Sequence, residues 1–222
     1  MNKPIAQLSG MKQEDGTEMK KLGCLNYVIS GAGRSGTTFL AHCFLEAGFD
    51  LGGVTPASIG DKYRPAGGGL EHCLFTMIND QVHHLIQEGK SFKSIAEELS
   101  EMMNFSWPQV VKDPRFTATI EAWGEAGFLP KHLFFCIRDP EQTIKSMENA
   151  FTWFKEGQRY DFFWQYNLLS YCLKKDIPIT FVLFPRIGRD REYANRILGQ
   201  FIKKEEPWNV VQRVWDEKMV HY

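Results

Sequence analysis

Between a short apolar run and an amphipathic stretch lies GAGRSGTT at 31–38, which holds three glycines, one arginine and three hydroxyl side chains. The run before it, CLNYVIS at 24–30, predicts a buried strand. From Gly36 onward, apolar residues recur with helical spacing, at Leu40, Cys43, Phe44 and Ala47. A strand, a glycine-rich turn and a helix in this order favour phosphate binding, because backbone N–H groups and the helix dipole attract the anion. The alternative is a tight turn that binds no ligand.

The rest of the chain alternates short apolar runs with helical patterns. Three further runs predict strands, at 109–111, 132–137 and 179–184. Helical patterns lie at 70–86, 91–103, 117–126, 161–174, 190–201 and 209–218, and Asp139 with Pro140 is typical of the start of another helix. This alternation predicts an α/β fold, a three-layer P-loop-type domain with a mostly parallel central sheet flanked by helices. Ligands bind such sheets beyond the carboxyl ends of the strands.

Length and charge limit the number of domains and the kinds of partner. At 222 residues the chain suits one domain, which we expect at 23–222, behind a flexible N-terminal arm at 1–22. The net charge of -1 predicts that neither nucleic acid nor an acidic membrane is a partner. The sequence has no signal-peptide core, no apolar run long enough to span a bilayer and no metal-ligand cluster. We therefore expect a cytoplasmic protein without a metal site, and the oligomeric state is open.

The loop lacks the lysine that nucleotide triphosphatases carry. Those proteins place Gly-Lys-Ser/Thr at the start of the helix, where the lysine reaches the β- and γ-phosphates. Here Thr37 follows Gly36 directly, and the nearest cation is Arg34, three residues before Thr37. The loop therefore suits a phosphate group, and a P-loop small-molecule kinase is the less favoured alternative.

Two further polar clusters follow predicted strands. Arg138 follows the strand at 132–137, and Ser146 lies two helical turns after the capping residue Asp139, so Arg138 and Ser146 can reach one anion. Lys112, in Val-Lys-Asp-Pro, follows the strand at 109–111 and would face the same crevice, unless it is a solvated turn residue. Asp113 is expected to cap the next helix.

These motifs resemble the PAPS-dependent sulfotransferase family, whose donor loop reads Lys/Arg-Ser-Gly-Thr-Thr. The arginine form and the Lys-Asp-Pro turn are most similar to the tyrosylprotein and carbohydrate sulfotransferases. The resemblance implies that Arg34 stabilises the departing bridging oxygen and that Lys112 helps to stabilise the transferring group. It also implies that Arg138 and Ser146 hold the 3′-phosphate of PAPS. The residues implied for the cradle of the 5′-phosphosulfate are Gly33, Ser35, Gly36, Thr37 and Thr38.

The resemblance also implies a general base. A glutamate in a similar region is the base of tyrosylprotein sulfotransferases, and here Glu71 follows three glycines at the start of a predicted helix. At that position it could instead be only a partner of the helix dipole, with the adjacent His72 as the alternative base. The Gly- and Pro-rich stretch 52–69 is a long loop of the kind that often has a function, and its Lys62 and Arg64 could line an acceptor pocket.

We therefore expect a sulfotransferase that moves a sulfuryl group in line from PAPS to a hydroxyl or amine of a small-molecule, carbohydrate or peptide acceptor. A non-catalytic nucleotide-binding protein that keeps the donor site is the second alternative, beside the kinase. The glycine-rich basic segment near the C-terminus of phenol-type sulfotransferases is missing, so contacts to adenine are unassigned. The membrane anchor of Golgi sulfotransferases is also missing, and we do not infer a lumenal protein substrate.

Overall fold

Four parallel strands form the centre of the protein. The computed structural model describes residues 26–54, 69–102, 107–150 and 158–216, so the predicted arm at 1–22 lies outside it. The sheet has the order β2-β1-β3-β4, and each neighbouring pair is parallel. This arrangement confirms the predicted α/β fold with a parallel central sheet. The strands are β1 (Tyr27–Gly31), β2 (Val110–Lys112), β3 (His132–Ile137) and β4 (Ile179–Leu183).

Helices connect the strands and cover both faces of the sheet. Their bounds are α1 (Thr37–Glu46), α2 (Cys73–Gln87), α3 (Phe92–Met102), α4 (Phe116–Glu125), α5 (Pro140–Ala150), α6 (Gln158–Lys174), α7 (Arg186–Arg189), α8 (Arg191–Leu198) and α9 (Pro207–Val214). Within the described ranges, none of them is both long and apolar enough to cross a membrane.

Two hydrophobic cores lie on opposite faces of the sheet, because side chains alternate between the faces along each strand. Ile29 and Phe134 join the core that includes residues of α1, α8 and α9. Val28 and Leu133 join the core that includes residues of α2, α3, α4 and α6. The three layers of the predicted domain are therefore observed.

The predicted helices differ from the observed ones in their bounds, and two of the differences have a clear physical reason. Leu70 has a φ of 48°, in the left-handed region, so the predicted helix start at 70 is wrong and α2 begins at Cys73. Glu71 therefore precedes the helix instead of lying in its first turn. The predicted helix at 190–201 is shorter in the structure, where α8 spans Arg191–Leu198, and the extended backbone of Asp190 separates it from the short α7, which was not predicted. The carboxylate of Asp190 caps α8 by accepting the N–H of Tyr193 at 2.9 Å.

The last helix, α9, is also shifted relative to its predicted position, and it ends beside α1. It begins at Pro207 and ends at Val214, whereas the predicted helix spans 209–218, of which 217–218 lie outside the described residues. The ring of Trp215 follows, with its centre 5.4 Å from the ring of Phe39 and 6.0 Å from the ring of Phe184. The chain beyond α9 is thus packed near the strand end from which Phe184 extends.

Strand β4 forms one edge of the sheet, and a tyrosine hydroxyl covers part of it. The hydroxyl of Tyr193 accepts the N–H of Leu183 at 2.8 Å and donates to the carbonyl of Phe181 at 3.2 Å. The side chains of Phe181 and Leu183 are 47% and 37% exposed. At this edge, backbone groups of β4 are therefore hydrogen-bonded to Tyr193, while the apolar side chains of Phe181 and Leu183 are partly exposed.

Candidate functional site

The glycine-rich loop joins β1 to α1 through three residues with positive φ. These are Gly31 at 139°, Arg34 at 65° and Gly36 at 95°. Ser35 stabilises the turn, since its N–H and its hydroxyl donate to the carbonyl of Ala32 at 3.2 and 2.6 Å. Successive backbone N–H groups around left-handed residues form concave sites that bind anions. The left-handed residues of this loop are therefore compatible with the predicted phosphate site.

The two strongest motifs of the sequence meet at Arg34. Its Nε donates to the hydroxyl of Ser146 at 3.1 Å, although the two residues are 112 positions apart. Arg138 reaches the same place from the end of β3, and its Nη1 donates to the carbonyl of Arg34 at 3.3 Å. The fold thus brings the arginine of the glycine-rich loop together with the predicted pair of Arg138 and Ser146.

Two positive charges are concentrated in this cluster. Burial lowers the pKa of the Arg34 guanidinium, and the charge of Arg138 lowers it further. Arg138 is only 6% exposed, and its guanidinium lies 5.6 Å from the ring centre of Phe184. Because like charges repel strongly in a partly buried site, an anion bound to both arginines would stabilise the cluster.

Helix α5 places Ser146 against the loop. Asp139 caps the helix as predicted, since its carboxylate accepts the N–H of Gln142 at 2.9 Å. Ser146 is 1% exposed, and the neighbouring Met147 is 4% exposed. A Cβ added at Gly33 would lie only 3.3 Å from the Met147 methyl group. Glycine at position 33 therefore leaves the space in which α5 approaches the loop.

Lys112 and Glu71 form a second cluster, at the carboxyl end of β2. Lys112 is 3% exposed, so the alternative of a solvated turn lysine is wrong. Its ammonium group donates to the carbonyl of Gly69 at 2.9 Å and to Oε1 of Glu71. Burial raises the pKa of the Cys136 thiol to about 12 against the opposing charge of Lys112. Since Cys136 pairs with Gly31, the lysine acts close to the start of the glycine-rich loop.

Arg115 completes this second cluster, and none of the predicted motifs included it. Its Nη1 lies 3.0 Å from Oδ1 of Asp113 and 4.0 Å from Oε2 of Glu71, and its Nε donates to Asp80 at 2.5 Å. Burial alone would lower the pKa of Arg115, but the carboxylates of Asp113, Asp80 and Glu71 raise it. The only signal in the sequence was its place directly after the Lys-Asp-Pro turn.

Asp113 anchors the Lys-Asp-Pro turn instead of capping a helix. The N-cap of α4 is Arg115, so the predicted capping role of Asp113 is wrong. The carboxylate of Asp113 is fully buried and accepts the amide of Asn79 and the N–H of Arg115, each at 2.9 Å. The backbone carbonyl of Asp113 accepts a hydrogen bond of 3.0 Å from the hydroxyl of Ser30, which lies at the end of β1. The turn is therefore tied to both α2 and β1.

The other predicted residues lie around the two clusters or outside the described part of the chain. His72 is the N-cap residue of α2, and burial lowers the pKa of its ring, which favours the neutral form. In the first turn of α1, Thr37 is buried and Thr38 is half-buried. Lys62 and Arg64 lie outside the described residues.

The sequence matches no family model and no curated protein. The chemistry of the two clusters therefore has to indicate the function. One cluster holds two arginines and a buried serine, and the other holds a buried lysine, a glutamate and a third arginine. Both follow the carboxyl ends of parallel strands, where sheets of this kind bind ligands.

Proposed function

We propose that this protein is a PAPS-dependent sulfotransferase, which moves a sulfuryl group from PAPS to a hydroxyl or amine of an acceptor. The observation that carries the proposal is the contact of Arg34 with Ser146, with Arg138 on the carbonyl of Arg34. It unites the glycine-rich loop with a motif 112 positions later. A donor with a phosphosulfate at one end and a 3′-phosphate at the other suits two arginines, because charge-assisted hydrogen bonds to phosphate are strong.

The glycine-rich loop and Arg34 bind the phosphosulfate end in this proposal. The donors to its phosphate oxygens are the backbone N–H groups of Gly33, Arg34, Gly36, Thr37 and Thr38. Arg34 stabilises the charge that develops on the bridging oxygen, and removal of such a donor typically lowers a rate about a hundred- to a thousand-fold. Arg138 and Ser146 hold the 3′-phosphate, which orients the donor for in-line attack.

In the proposed transfer, residues of the second cluster offset the negative charge and take up the proton that is released. The acceptor oxygen or nitrogen forms a bond to sulfur while the bond from sulfur to the bridging oxygen breaks. The electron pair of that bond stays on the 5′-phosphate of adenosine 3′,5′-bisphosphate. Lys112 offsets negative charge on the transferring group, and the acceptor proton passes to the Glu71 carboxylate. His72, whose lowered pKa keeps its ring neutral, is the alternative base.

Isothermal titration calorimetry tests the donor class, with adenosine 3′,5′-bisphosphate in one series and ATP with magnesium in another. We expect micromolar binding of the bisphosphate. Arg138→Ala should weaken it roughly ten- to a hundred-fold, which corresponds to the loss of one hydrogen bond to a charged group. Arg191→Ala is the matched control, since it removes an exposed arginine that is paired with Glu206, and it should leave the affinity unchanged.

Preferential binding of ATP with magnesium would contradict the proposal and favour the kinase. Binding of neither compound would indicate a turn without a ligand. Transfer of labelled sulfate from PAPS to phenols, sugars and peptides then identifies the class of acceptor. Tight binding of the bisphosphate without transfer to any of them would favour the non-catalytic alternative.

A further inference from the structure

The ion pair of Lys112 and Glu71 is buried, with side-chain exposures of 3% and 14%. A buried charge that has lost its partner is strongly destabilising, whereas a paired one is compensated. Lys112 also donates to the carbonyl of Gly69. The lysine that the proposed reaction needs for an incoming anion is thus already compensated by a carboxylate of the same chain.

The second oxygen of the Glu71 carboxylate lies beside another cation. Its Oε2 is 4.0 Å from Nη1 of Arg115. That guanidinium is itself held by Asp113, which is fully buried, and by Asp80. Glu71 therefore has two cationic partners, and one of them has its position fixed by other residues. Its carboxylate can leave Lys112 without losing all of its electrostatic compensation.

The backbone next to Glu71 is anchored, which leaves the side chain as the part that can move. The side chain of Leu70 is 1% exposed and belongs to the core on the α1 side of the sheet. Its left-handed φ of 48° and the bond from Lys112 to the Gly69 carbonyl fix the same short segment. A rotation of the Glu71 side chain toward Arg115 requires no change in this backbone.

We propose that Glu71 is exchanged between these two cations, an inference that rests on the proposed function. Before the donor binds, Glu71 occupies Lys112. The phosphosulfate group of the donor then binds Lys112 in place of Glu71. The Glu71 side chain moves to Arg115, and its carboxylate there takes up the proton of the hydroxyl or amine of the acceptor. Arg115 is the positioning residue of this exchange. The base is therefore released only when the donor is in place, which delays removal of the proton until the phosphosulfate group is bound to Lys112.

The exchange makes an unusual prediction for Glu71→Gln. Because the variant removes the carboxylate that competes for Lys112, it should bind PAPS, which carries the phosphosulfate group, more tightly, by roughly ten-fold, within the range of typical coupling between sites. Its turnover should fall, because the base is lost. Glu98→Gln is the matched control, since it removes the carboxylate of an exposed pair with Lys90 and changes the net charge equally.

Substitution of Arg115 provides a second and independent test of the exchange. Without Arg115, Lys112 is the remaining cation that the described part of the chain places beside Glu71, so Arg115→Gln should weaken the binding of PAPS. The loss should be absent when Arg115→Gln is made in the Glu71→Gln background, since a double-mutant cycle isolates the coupling of the two residues. Arg115→Lys retains the charge and should restore part of the affinity. Thermal unfolding of each variant checks that the buried Asp113 still has a folded environment.

The outcomes separate this inference from the proposed function. If the wild-type protein does not bind the bisphosphate, the proposed function is wrong and the exchange falls with it. If the wild-type protein binds the bisphosphate and PAPS but Glu71→Gln binds PAPS equally or more weakly, the exchange alone is wrong. An equal gain in Glu98→Gln would attribute the effect to net charge and would also overturn the exchange. Should Glu71→Gln fail to fold, Glu71→Asp shortens the side chain and should give an intermediate gain in affinity.

Discussion

Two glycines with left-handed backbone angles differ in what surrounds them. Gly36 has a φ of 95°, and a Cβ added there would lie 2.5–2.7 Å from three side-chain atoms of Phe184. Gly53 has a φ of 70°, with nothing within 4 Å of an added Cβ. Position 36 therefore demands glycine for steric as well as conformational reasons, and position 53 for conformation alone.

Gly36→Ala should consequently be far more damaging than Gly53→Ala. A left-handed alanine costs about 1–2 kcal/mol, and forced overpacking adds about 1–3 kcal/mol. We expect Gly53→Ala to lower the free energy of unfolding by about 1–2 kcal/mol and Gly36→Ala by about 2–5 kcal/mol. Urea denaturation measures both. Since Phe184 also lies against Arg138, the Gly36 variant should bind adenosine 3′,5′-bisphosphate more weakly. Equal losses of stability in the two variants would contradict this account.

Single residues of the site differ in how far the sequence could predict them. Arg138 and Ser146 are placed by local spacing within one strand–turn–helix unit, so their proximity could be predicted, whereas Arg34 joins them because β1 pairs with β3. The position of Glu71 could not, because the left-handed Leu70 beside it is held by the core. Arg115 was missed because its partners Asp80 and Glu71 come from other segments of the chain.

Among the elements of the fold, apolar content predicts well where the strands lie in the sequence. It predicts poorly which strands lie next to each other in the sheet. Strand β3 has the predicted bounds 132–137, because almost all of its residues are apolar and buried. The position of β1 between β2 and β3 follows from pairing across large sequence separations, which no local pattern encodes. The short helix α7 was not predicted, whereas the predicted start at 190 lies within one residue of the start of α8, because Asp190 is its N-cap residue.

The start of β3 gives the protein a dependence of stability on pH. Burial lowers the pKa of His132, whose Nε2 lies 2.8 Å from the hydroxyl of Thr180. As the pH falls through the ordinary value of 6.5, the unfolded chain takes up this proton before the folded protein does. The free energy of unfolding should therefore decrease below about pH 6.5.

Urea denaturation at pH 7.5 and 5.5 measures this dependence. His132→Gln should reduce the difference between the two pH values, because glutamine does not titrate. His84→Gln replaces an exposed histidine that is paired with Glu88, and it should not reduce the difference in this way. An unchanged pH dependence in the His132 variant would remove that residue from the explanation.

For the whole molecule, the exposed edge strand β4 could promote association with other chains, and Tyr193 counteracts this association. Edge strands with free backbone groups pair with other chains. The hydroxyl of Tyr193 occupies the N–H of Leu183 and the carbonyl of Phe181, next to two partly exposed apolar side chains. A single side chain thus reduces the number of groups that a further strand could use.

Tyr193→Phe should therefore affect both stability and association. It removes two hydrogen bonds, each typically worth about 0.5–1.5 kcal/mol, and it leaves the edge of β4 uncovered. We expect a lower free energy of unfolding and a higher mean mass in light scattering as concentration rises. Tyr166→Phe, which alters a side chain that is 70% exposed, is the control. Identical scattering of the two variants would show that the hydroxyl does not protect the edge.

The hydrogen bond between Arg34 and Ser146 also has a consequence for biosynthesis. Its partners are 112 positions apart, and β1 pairs with both β2 and β3, which follow much later in the chain. Contacts of this range make folding slow. On the ribosome, the N-terminal part emerges with its glycine-rich loop but without the serine and the second arginine that complete the cluster. A nascent chain can acquire the complete cluster only after α5 has left the exit tunnel, so a ligand that needs both halves does not bind shorter nascent chains.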